Sequence, residues 1–369
     1  MAKMTLREAC QAMTWHPDFW NPTKLLNMKD KNGLTPGIFA GISNRGGGKT
    51  FTLTDFFEHW HFMGDAQIGL LCKTQTSLGS IANGVFGASL RDHYPEWKLV
   101  EKVSKTKYFS DMYLIRKTKG DDGKEHVEKR KLGMVLAINA GEKLKDYSSA
   151  FVDLDVLFLD EFQSSTYQPK EIEKLVFILG SVCRGGDKGV REVPLIMCSN
   201  SISITNPYFV AWGCVQAIRP DTKFYRGDGV VIQRFTNELI SERQKELGYI
   251  RAFGSCDVVH SVTDNSWLND DYSCISKPEK EWGRSVYIAT LQDRSGSYGV
   301  RRYDNGFFYL NRSVDETCPT VYALTVDGLD NAPLFRTGAI FMTLRDKFAR
   351  GCVRFSDISV KNLIYRFFV

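Results

Sequence analysis

The chain has 369 residues, 43% of them hydrophobic and 25% charged, and a formal net charge of +5. That length is too great for one compact core and suits two domains, while the balance is that of an ordinary globular protein and excludes collagen-like, disordered and membrane-embedded classes. No apolar run approaches the roughly 20 residues that span a bilayer, and the opening "MAKMTLREACQAMTWHPDFW" has no apolar core of a signal peptide. Nine cysteines are scattered without a C-x-x-C pair, so reduced thiols are expected rather than a disulfide framework or a zinc site. From Lys277 to Val369 there are 14 Lys and Arg against 10 Asp and Glu, and ten of those cations are arginines, the side chain suited to bidentate phosphate contact. A nucleic-acid partner for the last quarter of the chain is the expectation, against the plainer alternative of a solvated basic face.

In chain order, a helix is predicted from Thr5 to about Met13, followed by the aromatic segment "HPDFWNPTKLL". "GIFAGI" (37–42) reads as a buried strand, then a glycine loop, then a helix from Lys49 to about Trp60. "AQIGLLCK" (66–73) is a second strand, and two amphipathic strands near 107–117 and 126–136 flank "KGDDGK", a hairpin turn. "VLFLDEF" (156–162) and "VPLIMCSN" (193–200) are apolar strands with polar ends, and a helix lies between them at about 169–183. Strands alternating with helices indicate a parallel α/β sheet with its site at the polar strand ends. After "SITNPYF" the pattern changes to a polar helix over 236–250 and a hydrophilic stretch to about Pro278. A second unit then opens with "RSVYIATLQ", "YGVRRYD" and "GFFYLN", an antiparallel meander turning at Asp304-Asn305-Gly306. Two helices, near 338–350 and 356–368, close the chain. The expected divisions are 1–207, a lid or linker region over 208–277, and 278–369.

"GISNRGGGKT" is close to the phosphate-binding pattern G-x-x-x-x-G-K-[ST], with Ser43 where its first glycine belongs. Gly46, Gly47 and Gly48 free the backbone N–H groups to face phosphate, Lys49 reaches the β- and γ-phosphates, and the Thr50 hydroxyl ligates Mg²⁺. Ser43 and Asn44 complete the loop, and Ser43 suffices if its backbone is ordinary. Asp160, ending "VLFLD", is the expected Mg²⁺-side carboxylate, and Glu161 beside it polarises the water that attacks the γ-phosphate. That pairing belongs to hydrolases that do work with ATP; a small-molecule kinase does not need it. Arg45 either contacts the γ-phosphate or holds Glu161. Ser199 and Asn200 end the next strand, where a γ-phosphate sensor belongs. Phe19 and Trp20, with Asn21 or Lys24, either border the adenine or pack in the core. The six histidines show no metal-ligand spacing.

The motifs "FWNPTKLL", "RGGGKT", "FLDEF", "CSNSISITNPYF", "VYALTVDGL" and "VRFSDISVKNLIYRFF", in this order over almost the whole chain, resemble the DNA-packaging ATPases of small protein-primed podoviruses, short relatives of terminase large subunits. The resemblance implies a P-loop NTPase core of the additional-strand, catalytic-glutamate type with a parallel sheet, plus a smaller α+β RNase H-like domain at the C-terminus. It implies a homo-oligomeric ring, commonly a pentamer, that pumps double-stranded DNA through a capsid portal, with a packaging RNA as a further partner in some members. Its place is the host cytoplasm and, transiently, the portal vertex of the procapsid, with no membrane involved. Arg184 falls where the family places a trans-acting arginine finger. Lys143 and Lys145 fall about where it places a DNA-gripping lysine, and Lys73 links the nucleotide site to the DNA loop "KTQTSLGS". DNA contact is expected through phosphates, without base readout. "VYIATL" lacks the acid of a nuclease first strand and Asp293 is expected in the turn beyond, so the C-terminal domain is expected to be a vestigial nuclease. The rival readings are another ring translocase or helicase, and a slow P-loop switch or scaffold.

Overall fold

A computed structural model describes every residue except 1–2, 120–124, 165, 186–188, 216, 219–221, 255, 268–272, 294–295, 326–331, 366 and 369. In chain order the elements are α1 (Leu6–Ala12), α2 (Thr23–Leu26), β1 (Ile38–Ser43), α3 (Lys49–Gly64), β2 (Gln67–Cys72), α4 (Ile81–His93), β3 (Trp97–Val103), β4 (Phe109–Lys119) and β5 (Glu125–Ala137). They continue with α5 (Gly141–Leu144), β6 (Leu154–Asp160), α6 (Glu171–Val182), β7 (Leu195–Ser199), α7 (Pro207–Ala211), β8 (Phe224–Arg226), β9 (Val230–Phe235), α8 (Glu238–Lys245), α9 (Gly248–Ala252) and α10 (Asp257–Asp264). The last are β10 (Ser285–Asp293), β11 (Gly296–Tyr303), β12 (Phe308–Asn311), β13 (Val321–Ala323), α11 (Ala339–Ala349), β14 (Val353–Phe355) and α12 (Ile358–Tyr365). No helix among the described residues is long and apolar enough to cross a membrane.

The chain packs as two units, Met1–Ile202 with Arg219–Leu268, and Ser203–Ile218 with Asn269–Val369. The first is built on a nine-stranded sheet of order β3-β4-β5-β2-β6-β7-β1-β9-β8. Its centre, β5-β2-β6-β7-β1-β9, is parallel throughout. β1, β2, β6 and β7 are buried along almost their whole length, as strands covered on both faces must be, and this explains their continuous apolar runs. β7 lies between β1 and β6, the additional strand that the expected core type requires.

At the sheet's far edge β3, β4 and β5 run antiparallel, with buried residues at alternate positions at the start of β3 and along the first half of β4. The predicted hairpin strands are β4 and β5; most of the turn "KGDDGK" lies outside the described residues. Where β5 bulges at Leu132, opposite Met112 and Tyr113 of β4, the next residue Gly133 has φ +149°, and a Cβ there would lie 2.0 Å from the Ile68 carbonyl oxygen. Only glycine lets β5 approach β2 so closely.

The segment expected as a linker, 208–277, is no separate region. β9 pairs in register with the whole of β1, from Ile38 opposite Val230 to Ser43 opposite Phe235, so Arg219–Leu268 belongs to the first unit. The helix expected over 236–250 is two, α8 and α9, because Leu247 between them is extended (φ −68°, ψ 137°).

In the second unit β10, β11 and β12 form the expected antiparallel meander, with Gly306 at φ +85° in the turn between the last two. β13 joins β10 and β14 joins β12, both parallel, giving the order β13-β10-β11-β12-β14. One core takes in Leu291, Val300 and Leu310 from the sheet and Leu344 and Ile364 from α11 and α12. The unit is α+β, as expected. Asp293 is the last residue of β10, opposite Gly296, and not in a turn beyond it.

Candidate active site

β1 ends at Ser43 and α3 begins at Lys49; between them the chain makes a loop that only glycine can follow. Gly46 (φ +77°) and Gly48 (φ +80°) are in the left-handed region. A Cβ on Gly48 would also lie 2.5 Å from the Phe19 ring. The loop is held from outside: Trp20 N donates to Gly47 O at 3.2 Å, and Gln244 Nε2 donates to Arg45 O at 2.9 Å. Ser43 is a strand residue with no positive φ, so the glycine that the pattern calls for is not needed there. Its hydroxyl accepts from Lys49 Nζ at 2.8 Å and donates to Asn44 O at 3.0 Å.

Lys49 is 6% exposed, and its ammonium also donates to Asn44 O at 3.0 Å and to Asn200 Oδ1 at 3.1 Å. Burial lowers its pKa, an effect opposed by the carboxylates of Glu161 and Asp160. Thr50, one residue on, donates from Oγ1 to Asp160 Oδ2 at 2.9 Å, bringing the two expected Mg²⁺-side oxygens together. Asp160 ends β6 opposite Cys198 of β7. Its Oδ1 accepts from Glu161 N at 2.9 Å and from Cys198 Sγ at 3.0 Å. Burial drives the Cys198 thiol well up, so it stays protonated and donates to the carboxylate. Sequence reasoning passed over Cys198; the signal was its place just before Ser199-Asn200 at a strand end.

Glu161 has φ +52°, a left-handed conformation that costs a non-glycine residue about 1–2 kcal/mol. Strain of this kind collects at functional positions. Burial and the adjacent Asp160 raise its pKa, while Lys49 and Arg45 pull it back. Asn200 Nδ2 donates to Glu161 Oε1 at 3.4 Å while its Oδ1 receives Lys49, so one amide touches both the lysine and the glutamate.

A cleft of about 700 Å³ opens over these groups, lined by Arg45 to Phe51, Glu161 and Asn200 and also by His16, Phe19, Asp92 and His93. Ser43, Asn44 and Ser199 do not line it. The Asn44 side chain is turned to Asn237 and Thr263, and Ser199 is fully buried within β7. Of Phe19 and Trp20, Phe19 is the one on the cleft. Trp20 packs on Phe235 and donates to Gln233, Asn21 accepts from Thr23 N, and Lys24 lies over Phe224.

The other predicted residues lie outside the cleft. Lys73 pairs with the buried Glu171 and donates to Phe162 O at 3.2 Å, which ties the ends of β2 and β6 to α6. Its ammonium is thus turned into the protein. Lys143 is exposed, whereas Lys145 lays its ammonium 3.4 Å from the centre of the Phe177 ring. Arg184 is exposed on a short reversal where it bridges Val190. The base of that reversal is fixed by Arg191, which donates to Val182 O, Leu154 O and Phe151 O at 3.2, 2.7 and 2.7 Å.

Glycine loop, lysine and threonine after one strand and paired acids at the end of another two places away in a parallel sheet define a P-loop ATPase. The model of the podovirus DNA encapsidation protein (Gp16) family matches residues 17–369, and the chain belongs to that family. Among its relatives, the DNA packaging protein of Bacillus phage phi29 is 23% identical over 230 residues, 60% of this chain and 67% of that protein. The one from Bacillus phage B103 is 24% identical over 245 residues, 64% and 73% of the two chains. Two solved structures share the fold: the bacteriophage Phi-29 genome packaging motor assembly (TM-score 0.62, 20% identity, 95% of this chain and 98% of that one) and the Phi-28 gp11 DNA packaging motor (0.54, 16%, 96% and 98%).

Proposed function

We propose that the chain is the ATPase subunit of a homo-oligomeric ring, pentameric as in the family resemblance, that drives double-stranded DNA through a portal into a preformed capsid. The observation that carries this reading is the meeting of Lys49, Thr50, Asp160, Glu161 and Asn200 at the same end of three neighbouring parallel strands. The loop N–H groups and Lys49 hold the β- and γ-phosphates of ATP. Thr50 and Asp160, already 2.9 Å apart, fit a Mg²⁺ ion, which when bound neutralises developing phosphate charge. Glu161, turned into position by its left-handed backbone and held by Asn200, orients the attacking water. Asn200 reports the loss of the γ-phosphate to both partners.

Arg184 is exposed and away from its own cleft, as a group serving the neighbouring subunit must be. For DNA the exposed Lys143 is the better candidate; Lys145 is spent on Phe177 and Lys73 on Glu171, so Lys73 serves as a link between strands. The second unit is assigned to docking on portal or nucleic acid, with no cutting of DNA. Support comes from its arginine excess and from β10, whose only acid is at its last position. The protein works in the host cytoplasm and at the portal vertex.

The test is packaging itself: portal-bearing capsids, linear duplex, ATP and Mg²⁺, with nuclease-protected DNA as the readout. Protection that needs this protein and is lost in Glu161→Gln supports the reading. Protection without ATP turnover, or metal-dependent cutting of the duplex by the purified chain, contradicts it.

A further inference from the structure

Among the described residues, one group of three metal-ligating side chains comes together, and it is not the nucleotide site: Asp55, Glu58 and His93, whose ligand atoms all lie within 4.8 Å of one another. Asp55 and Glu58 are one turn apart on α3, and His93 is the last residue of α4, its Nδ1 2.7 Å from Asp55 Oδ1. Glu58 is completely buried; Oε2 accepts from Ser89 Oγ at 2.5 Å, but Oε1 has no hydrogen-bond partner. On the same face of α3, four residues after Asp55, His59 has a buried Nε2 that is also without a partner. A buried carboxylate that keeps its charge is normally paired or coordinates a metal.

We propose that Asp55, Glu58 and His93 form a binding site for a divalent transition-metal ion of the zinc class, with water completing the shell. Two carboxylate oxygens and an imidazole nitrogen, with no thiolate, favour zinc or its neighbours over magnesium, which prefers oxygen ligands alone. Ligand atoms sit about 2 Å from such an ion, so small side-chain rotations gather the three. The ion cross-links α3, which begins at the phosphate loop, to the end of α4. Because His93 also lines the nucleotide cleft, occupancy fixes one wall of that cleft.

The experiment is equilibrium dialysis of the full chain against Zn²⁺ in excess Mg²⁺, followed by Co²⁺ substitution and visible spectroscopy. The expected result is one equivalent bound, with Co²⁺ d–d bands and no thiolate charge-transfer band. Binding should weaken by more than the roughly 10–100-fold that loss of an outer partner causes, in both His93→Ala and Glu58→Gln. His93 is exposed, and Glu58→Gln keeps the buried shape, so folding of each is checked by its melting curve in chelator. Absence of stoichiometric binding, a thiolate band, displacement by Mg²⁺, or undiminished binding in both variants would overturn the proposal.

Discussion

Thr50 Oγ1 donates to Asp160 Oδ2 across 2.9 Å, joining the first turn of the helix after the phosphate loop to the end of a strand two places away in the sheet. In the proposed function the pair supplies oxygen ligands to a metal–nucleotide complex. Asp160→Asn keeps the hydrogen bond and removes the charge, so turnover should fall by about 10²–10³-fold, the range for losing a preorganised charge-stabilising group. Steady-state ATP hydrolysis against Mg²⁺ concentration checks this. A variant that keeps wild-type turnover at saturating Mg²⁺ would remove Asp160 from the site.

Lys73 supports structure in this account. Lys73→Ala removes one donor to Glu171, which is 3% exposed and keeps the Gln168 N–H; with Lys73 itself 26% exposed, the cost should be about 1–3 kcal/mol. Urea denaturation of the variant should show a loss of this order. A variant of normal stability that binds DNA weakly would return Lys73 to the DNA-contacting set.

The second unit has its own acid-sensitive point. Asp357 precedes α12, where its Oδ1 accepts from Ser359 N at 3.0 Å and Val360 N at 3.1 Å, while Arg312 donates to both carboxylate oxygens at 3.2 Å. Burial acts to raise its pKa, but Arg312 and the backbone donors prevail and hold it below the usual value. Its stabilising effect is therefore fully present above about pH 4, the unfolded value, and disappears as pH falls through the lowered folded value. Asp357→Asn keeps a good capping oxygen but loses the charge facing Arg312, so it should cost about 0.5–1 kcal/mol at pH 7, with the gap closing in acid. Melting curves from pH 7 down to pH 3 measure it.

Arg184 and Glu161 should complement one another between subunits. Rings of Arg184→Ala alone or Glu161→Gln alone should lose about 10²-fold or more of their turnover. Mixed rings should recover part of it, because some interfaces then join an intact Glu161 to an intact Arg184. Mixtures that show only the sum of two dead enzymes would place Arg184 outside catalysis.

What could be read in the sequence depended on how local its cause was. The strand–loop–helix at Ser43 to Thr50, the acids ending β6 and the β4–β5 hairpin each have their signal within a dozen residues, and all were anticipated. β9 was not, since its pairing with β1 joins residues about 190 positions apart and "VVIQRF" looks like any short apolar run. A separation of 38 residues, shorter but still beyond any local signal, hid the meeting of Asp55 with His93 and the Cys198 bond to Asp160, which appears only once β6 and β7 are in register. Lys73 was expected to link the nucleotide site to the DNA loop; its pairing with Glu171 was not legible, because nothing in "CKTQ" tells of a helix residue 98 positions later.

The central claim is that hydrolysis at Glu161 is coupled to DNA. Its most direct test is steady-state ATP turnover by the assembled protein with and without long double-stranded DNA, in wild type, Lys49→Ala and Glu161→Gln. The account predicts strong stimulation by DNA in the wild type and its loss in both variants, with Glu161→Gln still binding ATP. Hydrolysis indifferent to DNA even on portal-bearing capsids, or stimulation that survives Glu161→Gln, would contradict it.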